Sequence, residues 1–114
     1  MRIWHASDAK RFEPEGHYGG LEVADVVTKE MTGNFVIQAS YCPPGGGGDK
    51  HWHDEDGQVF FIVQGQLSFD TGEEQFTLSP MEAVYFEPSE PHATRNETDD
   101  DCFAIVVTVA TPPA

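Results

Sequence analysis

Three side chains able to bind a transition metal, His51, His53 and Gln58, fall within eight residues of one another. They lie in the stretch GGGGDKHWHDEDGQVFFIVQG, residues 45–65, between a run of glycines and an apolar run with strand character. In an extended strand alternate side chains share a face, so His51 and His53 project to one side and Trp52 to the other. Paired imidazoles can grip one cation, but a divalent ion in a protein takes three or four protein ligands and keeps the remaining positions for water or substrate. The turn HDEDG lets the chain reverse, and Gln58 then begins the next strand. A further histidine has to come from a distant segment, and His92, in PSEPHATRN, is the best candidate. The expected ligand set is His51, His53, Gln58 and His92.

At these residues the sequence resembles the cupin superfamily. Its first motif, glycine, five residues, His-x-His, three or four residues, glutamate, six residues, glycine, is matched by Gly45, His51-Trp52-His53, Gln58 and Gly65, with glutamine in the glutamate position. Of the second motif only the end is kept, as His92 followed by Asn96. Met81, Glu87 and Ser89 stand where glycine, proline and glycine are usual, while Pro88 and Pro91 keep the turn character. The resemblance spans roughly residues 35–110 and implies a cupin-type double-stranded β-helix, a jelly-roll barrel, holding a divalent transition metal. Small cupins also use an amino-terminal strand to reach a second subunit, so the resemblance implies a homodimer to which residues 1–30 contribute.

The elements that must position these ligands read as strands. Residues 1–6 are expected as a first strand, followed by a polar connection through EPEGHYGG. LEVADVVTKEM does not settle its period, and Val-Val-Thr favours strand over helix. Thr32-Gly33-Asn34 is a turn, after which NFVIQASYC alternates cleanly and leads into the metal segment. Pro43 and Pro44 end that strand, and the glycines bring the chain sharply into the barrel. A phosphate-cradling role for the glycines is not expected, because no strand-glycine-lysine-helix pattern follows. QVFFIV, QLSFD, EEQFTLS, AVYFE and CFAIVVTVA continue at short intervals with turns at Gln64-Gly65 and Thr71-Gly72. Short strands with turn signals and no amphipathic helix give an all-β sandwich or jelly roll.

The chain of 114 residues reads as a single domain with enough apolar residues, 39%, to form a packed core. A net charge of −14 with only six Lys plus Arg repels nucleic-acid backbone and anionic membranes, so neither is an expected partner. The acidic excess reads as a solvated surface, with residues 99–101 in an exposed turn. With no signal-like amino end and no apolar stretch long enough to span a bilayer, the expected location is cytoplasmic. Cys42 and Cys102 show no CxxC spacing and read as buried strand residues, with a thiol ligand from Cys42 left open by its place beside the glycines. His5 and His17 fall outside any ligand spacing and read as surface or packing residues.

Three imidazoles and an amide oxygen bring no formal charge, so a bound dication would keep its full charge and act as a stronger Lewis acid than beside glutamate. Such a site suits isomerase, cyclase, lyase or hydrolytic chemistry on a small organic substrate. It also suits dioxygenase chemistry of the kind the resemblance implies, and the ion could be iron, manganese, nickel, zinc or copper. No catalytic residue is assigned: neither Glu82 nor Glu87 can be placed in the cavity, Tyr85 could line it or pack elsewhere, and Asn96 reads as a turn former. Alternatives are a non-catalytic small-molecule-binding or sensory module and a structural metalloprotein. Histidine ligation also implies weaker metal binding below about pH 6.5.

Overall fold

Alternation of inward apolar and outward polar residues builds the barrel strand by strand. A computed structural model describes residues 1–110; the last four residues of the expected domain lie outside the described residues. In chain order the strands begin with β1 (Arg11–Phe12), β2 (His17–Tyr18) and β3 (Glu22–Val27), followed by the short helix α1 (Lys29–Thr32). Then come β4 (Phe35–Cys42), β5 (Gly47–His51), β6 (Asp56–Gln64), β7 (Leu67–Asp70) and β8 (Gln75–Leu78). The chain finishes with β9 (Ala83–Phe86), β10 (His92–Arg95) and β11 (Cys102–Ala110). A six-stranded sheet has the order β1-β3-β4-β11-β6-β9, and a five-stranded sheet the order β2-β5-β10-β7-β8. All pairings are antiparallel. This is the expected jelly roll.

The inward residues are those the alternation selects: Phe60 and Ile62 on β6, Leu67 and Phe69 on β7, and Ala104 and Val106 on β11, all buried. Phe60 meets Phe69 and Phe86 edge to face at 5.3 and 6.0 Å, a favoured aromatic geometry. Cys42 and Cys102 face each other across β4 and β11, buried and free, as the sequence suggests.

Three features depart from expectation. Residues 1–6 form no strand; a 3₁₀ turn, Ala6–Asp8, capped by His5, follows a segment in which Met1 and Ile3 stand exposed without a strand partner among the described residues. The ambiguous segment after Gly20 is both strand and helix, because the Thr28 side chain caps α1 by accepting from the Met31 amide. Gly33, at φ 91°, then closes the helix in the left-handed conformation. The barrel also starts earlier than residue 35, since β3 pairs with β4 over most of its length.

Asn96 is a structural residue, fully buried. Its Nδ2 donates to the carbonyls of Cys42 (2.9 Å) and Asp100 (2.7 Å), while its Oδ1 accepts from the amide and hydroxyl of Thr98. The turn before β11 is thereby tied to the end of β4.

Met81 and Ser89, the residues standing in the two glycine positions of the second cupin motif, both adopt positive φ, 72° and 71°. The turns have kept a left-handed backbone although the residue that adopts it without strain is gone. Left-handed φ costs an L-residue about 1–2 kcal/mol, partly offset by the greater unfolded-state freedom of glycine, about 0.4–1 kcal/mol. Met81 is 76% exposed and loses no packing on truncation. Met81→Gly and Ser89→Gly are therefore each expected to stabilise the fold by about 0.5–1 kcal/mol in urea unfolding. A loss of stability in both would show that these backbone conformations carry no strain.

Candidate metal centre

The proposed ligands come from both sheets. His51 ends β5 and His92 begins β10, and the two are direct cross-strand partners in the five-stranded sheet. Gln58 lies on β6 in the opposing sheet. His53 stands two residues beyond the end of β5, outside the strand that the sequence reading gave it, and its carbonyl accepts the Ser89 amide at 2.6 Å. The left-handed turn at Ser89 thus joins the segment carrying His53 to the segment carrying His92. Trp52 is exposed, as alternation requires.

Among the described residues, His51, His53 and His92 form a cluster whose ligand atoms all lie within 4.8 Å of one another. Ring centroids are 4.6 Å apart for His51 and His92, 5.4 Å for His51 and His53, and 6.3 Å for His53 and His92. Gln58 completes the group, its Oε1 3.2 Å from His92 Nε2. The amide is aimed by its other end, since Gln58 Nε2 donates to Thr108 Oγ1 at 3.1 Å. Cys42 is not part of the cluster: its thiol donates weakly to the Pro43 carbonyl, and burial pushes its pKa up to about 11.

The donor set fits a divalent ion. His92 Nδ1 is 3.2 Å from the Glu90 carbonyl and His51 Nδ1 2.9 Å from the Asp49 carbonyl. A carbonyl only accepts, so each Nδ1 carries the proton and each Nε2 presents a lone pair. His92 Nε2 and Gln58 Oε1 then lie together as two lone-pair donors that one cation could share. Without a cation, turning the Gln58 amide over lets its Nε2 donate to His92 Nε2 and its Oε1 accept from the Thr108 hydroxyl. Protonating both nitrogens is opposed by the surroundings: Phe86 stacks on the ring at 4.2 Å, Phe60 meets it edge-on at 5.6 Å, and desolvation, followed by the neighbouring His51, lowers the His92 pKa to about 4. Desolvation lowers that of His51 as well. His53 Nε2 is buried without a hydrogen-bond partner. Buried polar atoms are rarely left unpaired, so an orphaned imidazole nitrogen beside two other lone pairs is what a metal site presents before loading.

A cavity of about 420 Å³ opens beside the cluster. His51, His53 and Gln58 form part of its wall, with Leu21, Val23, Phe60, Leu67 and Val106 supplying apolar surface and Gln38 and Ser40 polar groups. His17, read from the sequence as a surface or packing residue, also lines it, with its ring 5.7 Å from that of His51. It was hidden because β2 is two residues long and has no periodicity of its own. The available signal was the glycine run: a Cβ on Gly48 would meet the His17 ring at 2.8 Å, and one on Gly47 would meet the Tyr18 hydroxyl at 2.9 Å. The bare glycines thus let β5 lie close to the Thr94 carbonyl of β10 on one side and to the two side chains of β2 on the other. Glu82, Glu87 and Tyr85 are exposed and outside the cavity.

Coordination needs neutral imidazole, so protons compete with metal. Because the folded-state pKa of His92, and that of His51, lies below the ordinary histidine value, this competition starts at lower pH than the sequence suggests. Metal affinity is expected to fall on acidification toward about pH 4, where the buried His92 takes up its proton. Equilibrium dialysis with zinc from pH 8 to 4 checks this, and constant affinity over that range would contradict histidine ligation.

Comparison with known proteins agrees with this geometry. The family described as "Cupin domain" matches residues 41–108. Over 76 residues, 66% of this chain, the sequence is 35% identical to "H2HPP isomerase" of Bacillus subtilis, and the match spans 32% of that protein's length. Among solved structures, a Thermotoga maritima protein described as a "predicted oxalate decarboxylase" superposes with a TM-score of 0.86 at 18% identity, covering 96% of this chain and all of the other. The polyketide cyclase RemF of Streptomyces resistomycificus superposes with a TM-score of 0.81 at 20% identity, covering all of this chain and 82% of its own. At these identities the two structures show a shared fold alone. With the family's sequence pattern matched over more than half its length, the chain belongs to the cupin domain family.

Proposed function

We propose that this cupin is a metal-dependent enzyme that carries out non-oxidative isomerase, cyclase or lyase chemistry on a small organic molecule bearing oxygen donors. The observation that carries this reading is the convergence of three imidazole nitrogens and one amide oxygen, all uncharged, beside a cavity of about 420 Å³. His51, His53, His92 and Gln58 would hold a divalent transition ion, which supplies Lewis-acid polarisation of a carbonyl or enolate oxygen when bound. The apolar wall from Leu21 to Val106 offers the body of such a molecule a surface away from water. His17 donates through Nδ1 to the Glu15 carbonyl at 3.0 Å, which leaves Nε2 free to accept a proton from a molecule in the cavity. Likeness to an isomerase supports this version over a dioxygenase, although the chain spans only about a third of that relative.

A second reading is a non-catalytic module that holds a metabolite. It is favoured by the exposure of the two carboxylate residues lining the cavity, Glu15 and Asp49, neither of which is enclosed as a base.

Anaerobic NMR of the zinc-, iron- and nickel-loaded protein in deuterium oxide, with a panel of 2-oxo acids, 1,3-diketones and hydroxyaldehydes, separates these readings. The enzyme is expected to place solvent deuterium next to a carbonyl without oxygen, and His17→Gln is expected to slow this by about 100-fold with metal content unchanged. Turnover only with oxygen, or saturable binding with neither exchange nor product, would overturn the reading.

A further inference from the structure

The charge of the site narrows the class of ligand. Gln58 occupies the position of a carboxylate in the cupin motif, and its Nε2 is anchored on Thr108, so its neutral Oε1 faces the cluster. Every other member of the cluster is an imidazole. The remaining formal charges on the cavity wall, Glu15, Asp49 and Lys50, are all exposed, where solvent and salt screen them. A divalent ion held here would carry two uncompensated charges into a partly apolar enclosure, where the Coulomb term acts at low effective dielectric. The compensating charge has to come from what enters the cavity.

We propose that the metal-loaded cavity selects a small monoanionic oxygen ligand, a carboxylate or enolate, joined to a compact apolar body, and that Gln58 sets this selectivity. The proposal rests on the metal-dependent reading above and adds to it the charge and shape of the molecule bound. The oxyanion head lies toward His51, His53 and Gln58. The body lies against Leu21, Val23, Phe60, Leu67 and Val106, whose apolar surface gives an aliphatic chain or ring a place out of water. The surface charge of −14 opposes any anion at long range, but exposed charges beyond about 8 Å are screened at physiological salt. Local charge at the cluster decides the preference.

Benzoate, benzamide and acetate test the two halves of the proposal, since benzamide matches benzoate in shape without its charge and acetate keeps the charge without the ring. Each is titrated calorimetrically into the full chain with zinc saturating and its content verified. Benzoate is expected to bind at least about tenfold more tightly than either of the others, and zinc-free protein to show no such preference. Gln58→Glu, which places one negative charge beside the ion, is expected to cut the benzoate-over-benzamide ratio by about tenfold or more. Equal binding of benzoate and benzamide by zinc-loaded protein, or a ratio unmoved by Gln58→Glu, would overturn the proposal. Equal binding of acetate and benzoate would overturn the assignment of the apolar body. Failure to take up zinc at all would remove the metal-dependent reading together with this one, whereas selective benzoate binding in a protein without any deuterium exchange would uphold the ligand class and overturn the enzyme.

Discussion

His92 is buried against Phe86 and Phe60 with its Nε2 facing the oxygen of Gln58, and the rest of the site depends on that contact. Burial denies the imidazole a second proton, and the backbone carbonyl of Glu90 claims the one it has. The imidazole Nε2 and the amide oxygen are two lone-pair donors that one cation could share. The pairing of β5 with β10 puts His51 directly across from His92, and the Ser89 amide holds the His53 carbonyl in the adjoining turn. The second sheet contributes Gln58, clamped by Thr108. The candidate metal site is thus a consequence of how two sheets close on each other, with no single strand carrying all four of its side chains.

Much of this was legible in the chain. Alternation in NFVIQASYC, QVFFIV and CFAIVVTVA gave three long strands of the main sheet, and the spacing of Gly45, His51, His53, Gln58 and Gly65 gave the local half of the site. The convergence of His92 came from a motif, and its proof, cross-strand register with His51, is a long-range property that spacing does not encode. What escaped sequence reasoning lies on elements with little local signal. Two-residue strands such as β1 and β2 have no period to detect, so sequence reasoning leaves His17 at the cavity unassigned, and it expects in residues 1–6 a strand for which the described residues supply no partner.

The glycines and their absences have separate physical roles. At Gly47 the missing side chain makes room first for the Thr94 carbonyl of β10 and then for the Tyr18 hydroxyl, and at Gly48 for His17, a matter of contact between strands and not of torsion. At Met81 and Ser89 the backbone takes the glycine-like torsion with a side chain present. Turn geometry at those two positions is therefore held by the surrounding hydrogen bonds, among them the Met81 amide to the Ile62 carbonyl and the Ser89 amide to the His53 carbonyl.

X-ray absorption at the zinc edge of the loaded protein addresses the convergence directly. The account predicts a shell containing three imidazole nitrogens at about 2.0–2.1 Å and oxygen from the amide and solvent, with no sulfur. A shell with fewer than two imidazoles, or one containing a thiolate from Cys42, would contradict it.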